Sequence, residues 1–169
     1  MHKPVTRTTV DLSVFPNLVV IYLGMRVNTF TGIKTVLGLG PQISKSAEDQ
    51  PDGLLLHEQI FYSFFPFHVG MRQYWRDFES LEKWTRSDPH KQWWQNYLKN
   101  SSGTGFWHET YFIRGGMEAI YADIKTPVGF MSFAPNKEAV GSMFSARKRL
   151  GLKDDAREIS SIDEAKLYE

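Results

Sequence analysis

Two stretches of this sequence set a proton-transfer side chain beside a carboxylate inside an aromatic run. Residues 105–113 read GFWHETYFI, with His108 next to Glu109, and residues 54–63 read LLLHEQIFYS, with His57 next to Glu58 and Gln59. Both runs have strand composition, and consecutive strand residues point to opposite faces, so only one of His108 and Glu109 can line a given side of a sheet. The odd set Trp107, Glu109, Tyr111, Ile113 and the even set Phe106, His108, Thr110, Phe112 are equally mixed, and alternation does not choose between them. His108 is the favoured base, because an imidazole exchanges protons near neutral pH without a large shift. The plainer reading is a histidine hydrogen-bonded to backbone. Around His57, a buried polar group needs a partner, and Arg26, Arg72 or Arg76 can supply one as an Arg–Glu brace across the sheet.

A third candidate lies on a helix. Ser87-Asp88-Pro89 has the chemistry of a helix start, and His90, Trp94 and Tyr97 then share one face, with His90 at its solvent edge. Tyr22, Tyr74 and Tyr111 are able to orient a hydroxyl or carbonyl, although aromatic packing accounts for them almost as well. The sequence has no GxSxG, no HExxH, no P-loop and no GxGxxG after a strand, and no two histidines have zinc-like spacing. A conventional hydrolase, kinase or nicotinamide dehydrogenase is therefore not expected, and no metal ligands are assigned.

The elements that must position these groups follow from pattern and composition. At 169 residues, with 41% hydrophobic and 23% charged residues, the chain has the size and make-up of one globular domain. Its aromatic content of 14% exceeds ordinary core needs, and all five tryptophans fall between Val69 and Tyr111. Bulky aromatics alternating with His, Glu, Gln and Arg suggest a walled apolar cavity with a few polar groups, the make-up of a small-molecule site. A net charge of +1 gives no reason to expect nucleic acid. The lack of cysteine excludes thiolate catalysis and Cys-held metals, and fits a cytoplasmic setting. The polar start is not a secretory leader, and Leu18–Met25 is too short to span a bilayer.

Residues 1–17 read as an extended arm and Leu18–Asn28 as a buried strand. Ile33–Ala47 has a helical period weakened by Gly38, Gly40 and Pro41, which predicts a helix broken in the middle. Strands are expected over Leu54–Ser63, Val69–Asp77 and Gly105–Ile113, with helices over Glu79–Arg86 and from Ser87. A short fifth strand is expected over Met117–Ile124, then a basic helix over Lys137–Leu150 and a polar tail. The order β-α-β-β-α-β predicts an α+β ferredoxin-like protomer, an antiparallel sheet with helices on one face. On the first strand Val19, Ile21, Leu23, Met25 and Val27 suit the helix side. Val20, Tyr22, Gly24 and Arg26 make the other face too apolar to leave bare and too polar for a plain core, which calls for a partner sheet.

Four segments together carry a resemblance: GMRVN at Gly24–Asn28, QYWRDFESLEKWTR at Gln73–Arg86, DPHKQWW at Asp88–Trp94 and FWHETY at Phe106–Tyr111. They resemble a monooxygenase-like family of the dimeric α/β-barrel superfamily, found in bacteria and in fungal biosynthetic clusters such as that of fumagillin. The resemblance covers about residues 5–135. It implies a homodimer of two ferredoxin-like protomers packed sheet to sheet, each with a pocket between sheet and helices. The chain's own organisation gives an arm at 1–17, a ferredoxin-like domain at 18–135 and a helix and tail at 136–169. That superfamily hosts cofactor-free oxygenases, haem enzymes including aldoxime dehydratases, and lactone or cyclisation enzymes, so fold does not settle reaction. Tyr74, Trp75 and Arg76 match the family's strand motif, and His108 and Glu109 its WHETY strand.

The expected activity is oxygenation of an apolar secondary metabolite, terpenoid or polycyclic. His108, Tyr74, Arg76 and Glu109 are the catalytic candidates, and Tyr22, Arg26, Trp75, His90, Trp94 and Tyr111 the substrate-binding ones. Dioxygen would be activated by a substrate carbanion without a cofactor, or through borrowed haem or flavin. A cyclase, isomerase or dehydratase using the same pocket is the rival reading, and a non-catalytic binder of apolar ligands the third.

Overall fold

β-branched and aromatic residues dominate Val19–Val27, and this strand forms the centre of the fold. The computed structural model describes residues 5–113 and 116–151. Along the chain run β1 (Arg7–Val10), β2 (Val19–Val27), α1 (Phe30–Glu48), β3 (Leu54–Ser63), β4 (His68–Trp75), α2 (Phe78–Thr85), α3 (His90–Lys99), β5 (Thr104–Phe112), β6 (Tyr121–Ala122), β7 (Asn136–Glu138) and α4 (Ala146–Arg149). The chain groups into two units, Asn17–Ile113 and the two chain ends.

In the unit Asn17–Ile113, four antiparallel strands lie in the order β3-β4-β2-β5. This is the ferredoxin-like arrangement, with the first strand of the βαββαβ order inside and the last at an edge. Val19, Ile21 and Trp75 pack with Leu81 of α2, and Leu23, Leu54 and Trp84 close around them. On the same side, Gln59 Nε2 of β3 donates to Ser44 Oγ of α1 at 2.7 Å. The odd residues of β2 thus face the helices, as their apolar character requires. α2 starts where Asp77 accepts from the Ser80 N–H at 2.7 Å, a side-chain cap reinforced by Glu79 in the first turn.

α1 is a single continuous helix with Pro41 inside it, not the broken one expected. Its buried positions, among them Val36, Ser46 and Ala47, hold it by packing, and tertiary packing overrides weak local propensity. Gly38 and Gly40 lie on its open side, so the weak helix formers sit where no packing depends on them.

The other unit contains a three-stranded antiparallel sheet ordered β6-β1-β7. The arm therefore contains a strand, with Thr8 opposite Tyr121 and Glu138. The helix expected over Lys137–Leu150 is instead β7, a 3-10 turn at Gly141–Phe144 and the short α4. Two causes are visible: Lys137 binds Asp11 at 2.7 Å across the β1–β7 pair, and Gly141 takes φ +57, which a helix cannot use. The expected strand over Met117–Ile124 shrinks to Tyr121–Ala122. The polar tail lies outside the described residues, apart from Gly151.

Candidate functional site

The strand registers sort the candidates on the four paired strands onto one face or the other. Leu23 of β2 stands opposite His108 of β5, and Met25 opposite Phe106, so His108 and Phe106 are on the helix side. Tyr22 stands between Arg72 and Glu109, so Glu109 is on the outer face. His108 and Glu109 thus belong to two different chemical surroundings.

On the helix side of β5, Phe106 packs edge-on against His108 at 5.9 Å and against Trp94 at 5.4 Å, and Trp94 stacks on Tyr97 at 5.8 Å. His90, at the start of α3, lies 4.8 Å from the Trp84 ring. Its Nδ1 is 2.8 Å from the Thr85 carbonyl, which can only accept, so Nδ1 carries the proton and Nε2 keeps its lone pair. Burial pushes the His90 pKa below its usual value, opposed by the Thr85 bond and assisted by the nearby His108 charge. His90 is half-buried, not at the exposed edge expected for it, whereas His108 is exposed. Two imidazoles, one anchored on Thr85 against Trp84 and one exposed against Phe106, thus lie among aromatic rings on the helix side, near enough for His108 to act on the His90 pKa.

Further along the helix side, the Trp75 indole donates to Gln73 Oε1 at 3.1 Å, and Gln73 Nε2 lies 3.1 Å from His57 Nδ1. An indole N–H can only donate, which orients the Gln73 amide and leaves His57 protonated on Nε2. Nε2 is buried and meets no acceptor among the described residues, and burial holds the ring neutral by lowering its pKa. Gln73, 1% exposed, escaped the sequence reading, although a polar residue between Met71 and Trp75 on the core side of a central strand is the signal.

The outer face carries a polar row running across all four strands, Glu58–Arg72–Tyr22–Glu109. Arg72 Nη2 and Nε donate to Glu58 Oε2 at 2.6 and 2.8 Å, and Nη1 donates to Tyr22 Oη at 3.1 Å. The Arg–Glu brace expected in the sequence is this pair. Tyr111 donates to Glu109, which raises the Tyr111 pKa, and its ring meets Tyr22 edge-on at 5.9 Å. Above the row, the Trp107 indole donates to His68 Nε2 at 2.9 Å over Gly24, where an added Cβ would come within 2.7 Å of the indole nitrogen.

The candidates therefore divide. His108, His90, Trp94 and Trp75 belong to the helix side, with Trp75 fully buried in the core. Tyr74, Glu109, Tyr22, Arg26 and Tyr111 belong to the outer face. Arg76 joins neither group. Past the end of β4, it binds Asp52 at 3.1 Å, Asp77 at 2.9 Å and Ser80 at 2.9 Å, an exposed brace around the cap of α2. Among the described residues, no group of three or more His, Asp or Glu is placed to hold a metal ion. Were haem bound, one imidazole would suffice to hold it and supply its redox chemistry, and His90, with Nδ1 held by the Thr85 carbonyl, would be the residue to offer its Nε2.

No curated protein matches the chain. Among solved structures, a crystal structure of aldoxime dehydratase aligns with a TM-score of 0.63 and 21% identity over 79% of this chain and 39% of its own. An aldoxime dehydratase in complex with butyraldoxime aligns with a TM-score of 0.64 and 22% identity over 87% of this chain and 43% of its own. This chain spans about two-fifths of the length of those proteins. SnoaB, a cofactor-independent oxygenase from Streptomyces nogalater, is a looser likeness, with a TM-score of 0.42 and 8% identity over 57% of this chain and 93% of its own. At such identities the two aldoxime dehydratase likenesses speak for the fold alone. The family match is of another kind: residues 18–130, which take in the whole four-stranded sheet and the three helices α1, α2 and α3, match the family described as monooxygenase af470-like. The chain belongs to that family.

Proposed function

We propose that this protein is a small-molecule tailoring enzyme of the monooxygenase type, binding an apolar secondary metabolite, terpenoid or polycyclic, on the helix side of β5. The observation that carries the reading is that His108, against the Phe106–Trp94 pair, lies near enough to the Thr85-anchored His90, against Trp84, to depress its pKa. His108 removes a proton from an activated carbon of the substrate, and His90, through Nε2, accepts a hydrogen bond that orients it. The carbanion then reacts with dioxygen. One oxygen atom replaces two hydrogens as a carbonyl and the other leaves as water, so the step needs no external reductant. The tryptophans hold the substrate in its reacting conformation.

The test is turnover of polycyclic and terpenoid metabolites with and without dioxygen, together with an absorbance spectrum of the purified protein. Turnover that stops without oxygen, in a protein without a Soret or flavin band, is the expected result. Undiminished anaerobic turnover would move the reading to a cyclase, isomerase or dehydratase working through the same two imidazoles. Saturable binding with no change in any ligand would leave a binder only. A Soret band would give His90 Nε2 the role of iron ligand.

The same reading takes the protein to act as a cytoplasmic homodimer joined through the outer face. Tyr111, half-exposed, and Tyr62 lie there beside the buried Val20 and Tyr74, and a partner sheet would cover them. Light scattering at micromolar concentration is expected to give twice the chain mass, and a monomer would remove this part of the proposal.

A further inference from the structure

One end of the four-stranded sheet has a composition that neither the helix-side chemistry nor the outer-face row uses. There β2 ends, the β3–β4 hairpin turns, β5 begins and α1 starts, as the pairings Arg26–His68, Ser63–His68 and Val27–Thr104 require. The Val27 N–H donates to the Phe67 carbonyl at 2.8 Å, and the Asn28 and Thr29 N–H groups to the Gly103 carbonyl, which ties the segments together. Phe64 and Phe65 in the turn are 84% and 96% exposed, and Phe30 at the start of α1 is 92% exposed. Leu98, near the end of α3, and Leu37 on α1 are exposed as well. Soluble proteins seldom show so many large apolar side chains together without a partner for them.

The charges in the same place are all of one sign. Residues 26–37, 60–69 and 98–105 contain Arg26, Lys34 and Lys99, all exposed, and not a single Asp or Glu. Two consecutive phenylalanines at the tip of a hairpin form a projection rather than a groove. A projection suits a medium that opens around it, and a cationic rim suits an anionic surface. No described helix is long and apolar enough to cross a membrane, so the contact would be one of insertion at the surface.

We infer that this sheet end is a docking tip for an anionic phospholipid bilayer: Phe64, Phe65 and Phe30 enter the acyl boundary while Arg26, Lys34 and Lys99 meet the headgroups. Phe106, beside His108, stands two residue pairs in from the terminal Val27–Thr104 pair at that end of the sheet, so an apolar molecule leaving the bilayer would soon meet the aromatic wall.

The inference is tested without turnover, by flotation of the whole protein with vesicles of phosphatidylcholine alone and of phosphatidylcholine with phosphatidylserine. Flotation with the anionic vesicles, weakened by salt, is expected, and Phe64→Ser/Phe65→Ser should lower the bound fraction by about tenfold or more. Because the chain has no cysteine, Phe65→Cys can carry a polarity-sensitive dye. Its emission should rise on anionic vesicles, while the same dye on Glu48→Cys, at the far end of α1, should not respond. Absence of flotation, or equal flotation of the double serine variant, would overturn the inference. So would a double variant that alters oligomer size in light scattering while leaving flotation unchanged, since that assigns the tip to a second copy of the chain.

Discussion

His108 and Glu109 are neighbours in the chain and strangers in space, so substitutions at the two separate helix-side from outer-face chemistry. His108→Ala should lower turnover by about 10²-fold or more while leaving the fold intact, as loss of a positioned general base does. Glu109→Gln should leave turnover near that of the parent, because its carboxylate receives the Tyr111 hydroxyl on the opposite face. Steady-state kinetics on both variants checks the pair, and a fully active His108→Ala would pass the role to Glu109. The choice between these residues was not legible in the sequence, because both alternating sets of β5 mix aromatics with polar groups. Only the register against β2, whose own odd set is wholly apolar, decides it. Arg76 shows the opposite limit: its motif is conspicuous, but its partner Asp52 comes from the turn before β3, far away in the sequence.

At the scale of elements, the outer-face row joins β3 to β4 and β2 through one guanidinium. Arg72 and Glu58 are both partly buried, with side chains 29% and 21% exposed. Their pairing lies between an exposed ion pair, worth about 0–1 kcal/mol, and a fully buried one, whose disruption costs about 3–5 kcal/mol. Glu58→Ala should therefore destabilise the protein by about 1–2 kcal/mol in urea unfolding, with Glu58→Gln closer to the parent because it keeps an acceptor for Arg72. The four strands and two helical regions of the unit Asn17–Ile113 were legible from apolar period and turn residues. The continuity of α1 and the small β6-β1-β7 sheet were not, since packing over Val36 and Ala47 and pairing between chain ends leave no local trace.

For the molecule as a whole, three rings give stability a shared dependence on acid. His57, His68 and His90 are all pushed below the usual histidine value of 6.5, in each case chiefly by burial. Each binds a proton less readily in the folded chain than in the unfolded one, so the unfolded state gains protons first as pH drops through about 6.5. Their contribution is intact above that pH and is lost progressively below it. Thermal unfolding followed from pH 7.5 to 5 should show a falling Tm, and a His57→Phe/His90→Phe variant should show a flatter profile. An unchanged slope in that variant would mean that other groups carry the acid sensitivity.

Trp75 adds a spectroscopic consequence. Its indole has no solvent exposure and its N–H is bound to Gln73, whereas Trp94 is 41% exposed beside His108's neighbour Phe106. Trp75 therefore contributes a blue-edge part of the native emission that quenchers in solution cannot reach and Trp94 a red-edge part that they can, with the half-buried Trp84, Trp93 and Trp107 between them. A molecule settling against Trp94 should shield the second and leave the first untouched, while unfolding exposes both. Iodide quenching read at two wavelengths would then report occupancy and integrity in the same sample, with no label attached.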